Sequence, residues 1–256
     1  MPIRRISEHI KQQNWFAVWL DLVIVFLAVF IGLQADNWND ERIARQTAKI
    51  YYARLIGDLQ AEQSARNARE IYYGQTKRHA ESAIKALRMP GNNMGEDFLV
   101  DVYQATQRWT YAPQRTTYDE LIGVGIATAI PDVEIRSRLA NLYLNLVQSK
   151  ITLEEPTPFR DKLRHEMLHE VQSKIREQCG DQYVFLAHGV YHLKLPEACD
   201  LDIETGLVEE AVRGLLDYED LTKDLARQIS ILDVKLGSLG ASEEPIREML
   251  ELLASQ

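Results

Sequence analysis

The chain has 256 residues, 46% hydrophobic and 26% charged, the makeup of a packed protein. Its 13 Gly and 8 Pro exclude collagen-like and most disordered classes. A net charge of −9 argues against nucleic acid as a partner, because such binders need a basic face to displace counterions. Two cysteines are too few for a disulfide-dense mini-protein or a zinc finger.

Phe16–Leu33 is apolar at every position except Asp21 and Gly32. At 1.5 Å per residue it spans about 27 Å, close to the hydrocarbon core of a bilayer. Trp15 and Trp19 flank it on one side and Trp38 on the other, as an aromatic belt would. A signal peptide would end on small residues, whereas Leu33-Gln34-Ala35 offers a bulky Leu. The reading is an uncleaved transmembrane anchor over residues 16–35. Arg4, Arg5 and Lys11 precede it, and Asp36, Asp40 and Glu41 follow. The positive-inside rule then predicts a cytoplasmic N-terminus over 1–15 and a domain outside over 36–256, in the periplasm of a bacterial inner-membrane protein. Asp21 is costly deep in lipid, so it is either a boundary residue or a polar contact to a partner helix. Ala28-x-x-x-Gly32 is a small-residue pair that lets another helix approach closely.

From Asn39 to Met89 good helix formers dominate and Pro is absent. A helix running straight out of the anchor is predicted, bent or loosened at Gly57 or Gly74. Its apolar stripe is thin (Ile43, Ile50, Leu55, Leu59, Ala61, Ala65, Ala68, Tyr72) and suits one neighbouring helix, not a central position. Met89–Asn93 reads as a turn, and a short helix with Phe98, Leu99, Val102 and Tyr103 follows. Thr117 with Glu120 reads as a capping box opening a helix that Gly123 and Gly125 stop. Pro131-Asp132 opens the next, with the stripe Ile135, Leu139, Leu142, Tyr143 and Leu146. The 154–158 segment breaks it, and Phe159–Gln178 is predicted as another, polar helix.

Cys179 to Cys199 encloses the only stretch with strand-like composition, a small hairpin or an ordered loop. The two cysteines suit one disulfide in an oxidising compartment, or else two separate buried thiols. Val208, Ala211, Leu215, Tyr218, Thr222, Leu225, Ile229, Leu232 and Leu236 then form a heptad seam over one long helix. That seam packs inside the bundle or also joins subunits. A helix capped by Ser242 closes the chain. The fold class expected is all-α: one transmembrane helix, then an extracytoplasmic bundle with coiled-coil-like helices and a small disulfide-closed loop or hairpin.

Two stretches together resemble a family of bacterial single-pass membrane proteins of unknown function. In residues 19–42, Asp21, Gly32, Leu33, Gln34, Asn37, Trp38, Asn39, Asp40, Glu41 and Arg42 match an anchor followed by L-Q-x-N-N-W-N-E-E-R, with Asp36 replacing an Asn. In residues 115–143, Thr117 or Thr116, Tyr118, Glu120, Leu121, Gly125 and Ile130 are similar to the family's second segment, from which Gly123 and Val124 depart. The resemblance implies a helical extracytoplasmic domain on one anchor and brings no catalytic residues. It directs attention to Asp21 and the exit segment, with Asn37 and Trp38, as partner contacts or as an interfacial collar.

One motif looks like chemistry. His165-Glu166-Met167-Leu168-His169 is H-E-x-x-H, which on a helix presents two zinc ligands on one face and a Glu to activate water. His188 or His192 could complete such a site. Its flanks are charged, and no downstream Glu ligand is evident, so a solvated helix face competes with the metal reading. No other cofactor motif is present, and the paired acids Glu154-Glu155, Glu209-Glu210 and Glu243-Glu244 need no catalytic role. Three functions are therefore carried: a non-enzymatic accessory or scaffold subunit of a membrane complex, a zinc-binding or metallopeptidase protein, and a ligand-binding sensor. The last would need an output module, and about fifteen residues precede the anchor. The partners expected are other membrane proteins, a second copy of the chain, and the lipid bilayer.

Overall fold

The computed structural model describes residues 15–89, 94–186 and 191–256. The basic N-terminal residues, most of the Met89–Asn93 turn, and His188 therefore lie outside the described residues. The fold is mainly helical. Helix α1, Trp15–Arg88, runs 74 residues without interruption, about 110 Å, straight through Gly57 and Gly74. Neither glycine bears a break, because each stays within one continuous ladder of helical hydrogen bonds. The first part of α1 is apolar and unburied, and among the described residues it is the one segment long and apolar enough to cross a membrane.

Beyond the apolar segment, α1 is the axis of the bundle, not a peripheral helix. One line of its buried positions is Ala48, Tyr52, Leu55, Leu59, Glu62, Arg66, Arg69, Tyr73, Thr76, Ala80 and Ala83, with Tyr72 and Ile84 buried beside it. The positions of that line alternate in steps of four and three, the period that keeps one seam facing its neighbours. The expected stripe was thin because polar residues hold the middle of this seam. Ile43 and Ile50, by contrast, are exposed.

The other elements climb and descend along α1. Helix α2 (Glu96–Gln104) buries Phe98, Leu99, Val102 and Tyr103 against the distal end of α1. An irregular segment, 107–115, then descends to α3 (Thr116–Val124) and a single turn, α4 (Ile126–Ala129). Helix α5 (Val133–Glu154) climbs again, its Asp132 side chain accepting from the Ile135 N–H at 3.0 Å. Helices α6 (Pro158–Glu166) and α7 (His169–Cys179) return to the distal core. Strands β1 (Gln182–Phe185) and β2 (Tyr191–Lys194) pair antiparallel with Phe185 opposite Tyr191, so the disulfide-closed stretch is a hairpin. The Cys179–Cys199 disulfide is formed. Helix α8 (Thr205–Leu216) packs at the distal end, and α9 (Leu221–Gly240) and α10 (Glu243–Ala254) descend antiparallel to α1.

Three local expectations are corrected. The capping box at Thr117 is absent: no side chain on α3 caps it, and Glu120 instead takes Arg54 Nη1 at 2.9 Å and the Tyr51 hydroxyl at 3.1 Å. The cap comes from α1, where Asp58 Oδ2 accepts the Thr117 N–H at 2.8 Å. Ser242 likewise makes no side-chain cap on α10. The long seam helix is two helices, interrupted at Asp217–Asp220. After the break the buried register is Leu221, Leu225, Gln228, Leu232, Lys235 and Leu239, so Thr222 is exposed while Gln228 and Lys235 stand where Ile229 and Leu236 were expected.

The borrowed cap gives a direct test. Asp58→Ala should lower stability by about 1 kcal/mol, the usual cost of losing an N-cap acceptor. Thr117→Val should be near neutral, because only its backbone N–H serves the cap. Urea unfolding of both variants separates the two outcomes.

Candidate functional site

The core nearest the apolar segment of α1 (Leu55, Leu59, Leu121, Leu139, Leu142, Ile246) and the middle core (Tyr72, Tyr73, Trp109, Leu153, Leu232) are separated by a polar belt. Its centre is Glu62, fully buried, with Arg66 and Arg69 one and two turns on. Glu62 Oε2 accepts the Gln114 N–H at 2.8 Å, and Oε1 accepts the Tyr111 hydroxyl. Arg66 Nη1 lies 3.7 Å from Glu62 Oε1 and donates to the Tyr111 oxygen at 3.0 Å. Its Nη2 reaches Ser149 Oγ at 3.2 Å and the carbonyls of Ser238 and Leu239 at 2.7 and 3.0 Å. Arg69 donates to the Thr110 carbonyl at 2.9 Å and lies over the Trp109 and Tyr111 rings at 4.2 and 5.0 Å.

These contacts have one physical logic. An irregular strand buried in a helical bundle has no ladder partner, and each unpaired backbone group costs roughly 1–3 kcal/mol. The 107–115 segment is such a strand on its inner side, where Gln107, Trp109 and Tyr111 are buried while Arg108, Thr110 and Ala112 are exposed. The Tyr73 hydroxyl serves both the Trp109 carbonyl at 2.9 Å and its N–H at 3.2 Å. Arg69 serves Thr110, Glu154 serves the Tyr111 N–H, and Glu62 serves Gln114. Helix ends need the same service, since their last carbonyls lack partners and carry partial negative charge. Arg66 covers the end of α9, and buried Lys235 covers the end of α5 through the Leu153 carbonyl at 2.8 Å.

The electrostatics follow from burial. Burial and then the Glu62 carboxylate hold the Tyr111 phenol well above its ordinary value, so it stays a donor. Burial pushes the Arg69 guanidinium and the Lys235 ammonium down. A second, more distal group behaves alike: burial lowers Arg164 to about 9, still charged at neutral pH, where it lies 3.2 Å over the Tyr103 ring and donates to Thr106 Oγ1 at 2.9 Å. Burial raises the neighbouring Asp181, which accepts the Tyr72 hydroxyl at 2.9 Å. Sequence reading passed over Glu62, Arg66, Arg69, Gln228 and Lys235. The four-three spacing would have found them, had polar residues been allowed on the seam.

The expected metal geometry is not formed. Backbone at Met167 and Leu168 is extended (ψ 133° and 134°), so His165 ends α6 while His169 begins α7. Two ligands at i and i+4 share a face only on a continuous helix, and here the motif straddles a break. Both His side chains belong to exposed residues. His192 lies 6.1 Å from the Trp109 ring. Among the described residues no group of three or more His, Cys, Asp or Glu is placed to hold a metal ion. Excess zinc should therefore raise the melting midpoint of the wild type no more than that of His165→Ala/His169→Ala, because a ligand stabilises only the state it binds.

Asp21, Ala28, Gly32, Asn37 and Trp38 all lie on the unburied part of α1, and no other element covers them. The second of the two stretches lies against α1 just beyond the first: Asp40, Ile43, Ala44, Thr47 and Tyr51 of α1, of which only Asp40 belongs to residues 19–42, form one groove with Val124 and Ala129. Compared with family models, curated proteins and solved structures, this chain matches none.

Proposed function

We propose that the protein is a single-pass, membrane-anchored accessory or scaffold subunit that works by helix contact within a membrane complex. In this reading the N-terminus is cytoplasmic and the bundle stands in the periplasm of a bacterial cell. The observation that carries it is the form of α1. One unbroken helix is both the uncovered apolar segment and the axis around which the bundle folds. A contact made in the membrane is thus mechanically continuous with the domain outside. The belt supports the same view, since the charges of Glu62, Arg66 and Lys235 face internal backbone groups and ring partners. The basic residues before the anchor and the acidic ones after it support the orientation, and the disulfide suits an oxidising compartment.

On this reading Asp21→Leu or Gly32→Ile should weaken the association while the bundle stays folded. Asp21 supplies a polar contact in lipid, and Gly32, with nothing within 4 Å of an added Cβ, leaves room for a second helix. Native gel electrophoresis of mildly solubilised membranes should show a species larger than the monomer in the wild type and a smaller one in both variants. A wild-type monomer, or variants that run as wild type, would defeat the proposal.

A further inference from the structure

We propose that the cleft where α5 passes the α9–α10 corner is a binding site for one ring of a neutral sugar. The site is independent of the membrane reading above. The cleft has a volume of about 290 Å³. Asn145, Gln148 and Ser149 line it from α5, and Ser238 and Ser242 from the corner. Its inner positions are Ser149 and Ser242, 5% and 6% exposed. Leu or Ile there would close the corner, since bundle cores pack without such voids.

The hydroxyls of this cleft are short of acceptors. Ser149 Oγ accepts from Arg66 Nη2 at 3.2 Å and lies 2.9 Å from Ser238 Oγ. Whichever way that second bond points, the pair carries two protons and uses one between its members. The other proton has no acceptor among the described residues, because neither hydroxyl bonds back to its own helix. Ser242 does not cap α10, and its buried hydroxyl has no partner among the described residues. Buried hydroxyls without partners are costly. Water can serve them, so a ligand that replaces that water must bring acceptor oxygens of its own.

Charge and size narrow the ligand. No charged side chain lines the cleft, and the Arg66 charge behind Ser149 is matched by Glu62 at 3.7 Å. An ionic ligand would leave water for a site without a counter-charge, so the ligand is neutral. Asn145 and Gln148 are exposed rim amides that each donate and accept, as a pair of neighbouring sugar hydroxyls requires. Leu142 and Pro245 supply apolar surface for the C–H face of a ring. At about 30 Å³ per water the cleft holds the equivalent of roughly ten waters, close to the dozen or so non-hydrogen atoms of a hexose.

The test uses the full chain in phosphatidylcholine nanodiscs, free of sugar-headed detergent. Saturation-transfer NMR is recorded with glucose, galactose, mannose and N-acetylglucosamine as probes. The expected result is saturable binding of at least one of them with a dissociation constant of about 1 mM, the affinity that a ligand of this size ordinarily reaches. Asn145→Ala/Gln148→Ala should weaken it about tenfold and leave the melting midpoint unchanged, because both side chains are exposed. Ser242→Leu, which fills the cleft, should abolish it; should that variant fail to fold, the rim variant decides. Failure of all four sugars to saturate the wild type overturns the proposal. Binding that the rim variant leaves unchanged puts the sugar elsewhere and overturns it as well. Inorganic phosphate that binds the wild type and is lost in the same variants makes the cleft an anion site, which also overturns it.

Discussion

Arg66→Met should cost about 3–5 kcal/mol, the range for breaking a buried, hydrogen-bonded charge pair by removing one partner. The guanidinium is 4% exposed and is shared among the Tyr111 oxygen, Ser149 Oγ and the carbonyls of Ser238 and Leu239, beside a fully buried Glu62. Its loss leaves the carboxylate uncompensated and the end of α9 uncovered. In a domain of this size such a loss lowers the melting midpoint by roughly 10 °C. Arg45→Met removes a pair exposed at both ends, with Glu41, and should stay within about 0.5 kcal/mol. Adding Glu62→Gln to Arg66→Met should recover part of the loss, because the two residues share one network and their effects do not add. A single-variant cost under 1 kcal/mol would mean that the belt is hydrated and relaxed.

Cys199→Ser is expected to cost about 3 kcal/mol. The disulfide joins residues 20 apart, and by loop-closure entropy a link of that length restrains the unfolded chain by about this much. The position of the bond sharpens the expectation. Cys179 ends α7 inside the distal core, and Cys199 lies on the segment leading to α8. Opening it frees the hairpin segment between two packed helices. Hydrogen exchange should therefore rise first over 180–204, before α1 is affected. Cys179→Ala should cost more than Cys199→Ser, since it also removes a fully buried side chain. A urea midpoint insensitive to reductant would contradict this.

The mainly helical architecture, the long apolar segment, the helix breaks at Gly125 and Glu155–Thr157, and the cysteine pair were legible in the residues, because each has a local cause. Gly, Pro, an 18-residue apolar run and strand-like composition act within a few positions. The belt was not legible in the same way. Hydrophobic periodicity marks a seam only while its positions are apolar, and α1 places Glu62, Arg66, Arg69 and Thr76 on its seam because an irregular strand crosses there. Nothing near residue 62 in the sequence announces Gln114. In α9 the same blindness selected Ile229 and Leu236 over Gln228 and Lys235, which serve the Ala105 and Leu153 carbonyls. The Thr117 cap failed for a related reason: a neighbouring helix supplied a carboxylate that the local pattern cannot contain. The Met167–Leu168 break lacks Gly and Pro, so nothing local marks it. Gln172 stabilises the bend by donating to the carbonyls of Arg164 and Met167.

In the anchoring proposed above, the length of α1 turns small angles at the bilayer into large distances at the far end. From Leu33 to Arg88 a helix rises about 82 Å, so a 10° change in tilt of the span swings the distal end sideways by about 14 Å. Because α9 and α10 brace α1 along most of that height, the swing is carried by the bundle as a lever arm and not absorbed by a flexible stalk. The hairpin, attached near Tyr72 and Gln75, would sweep about three-quarters of that arc. Its exposed rings, Tyr183, Phe185 and Tyr191, would thus move by about 10 Å for a 10° change in tilt.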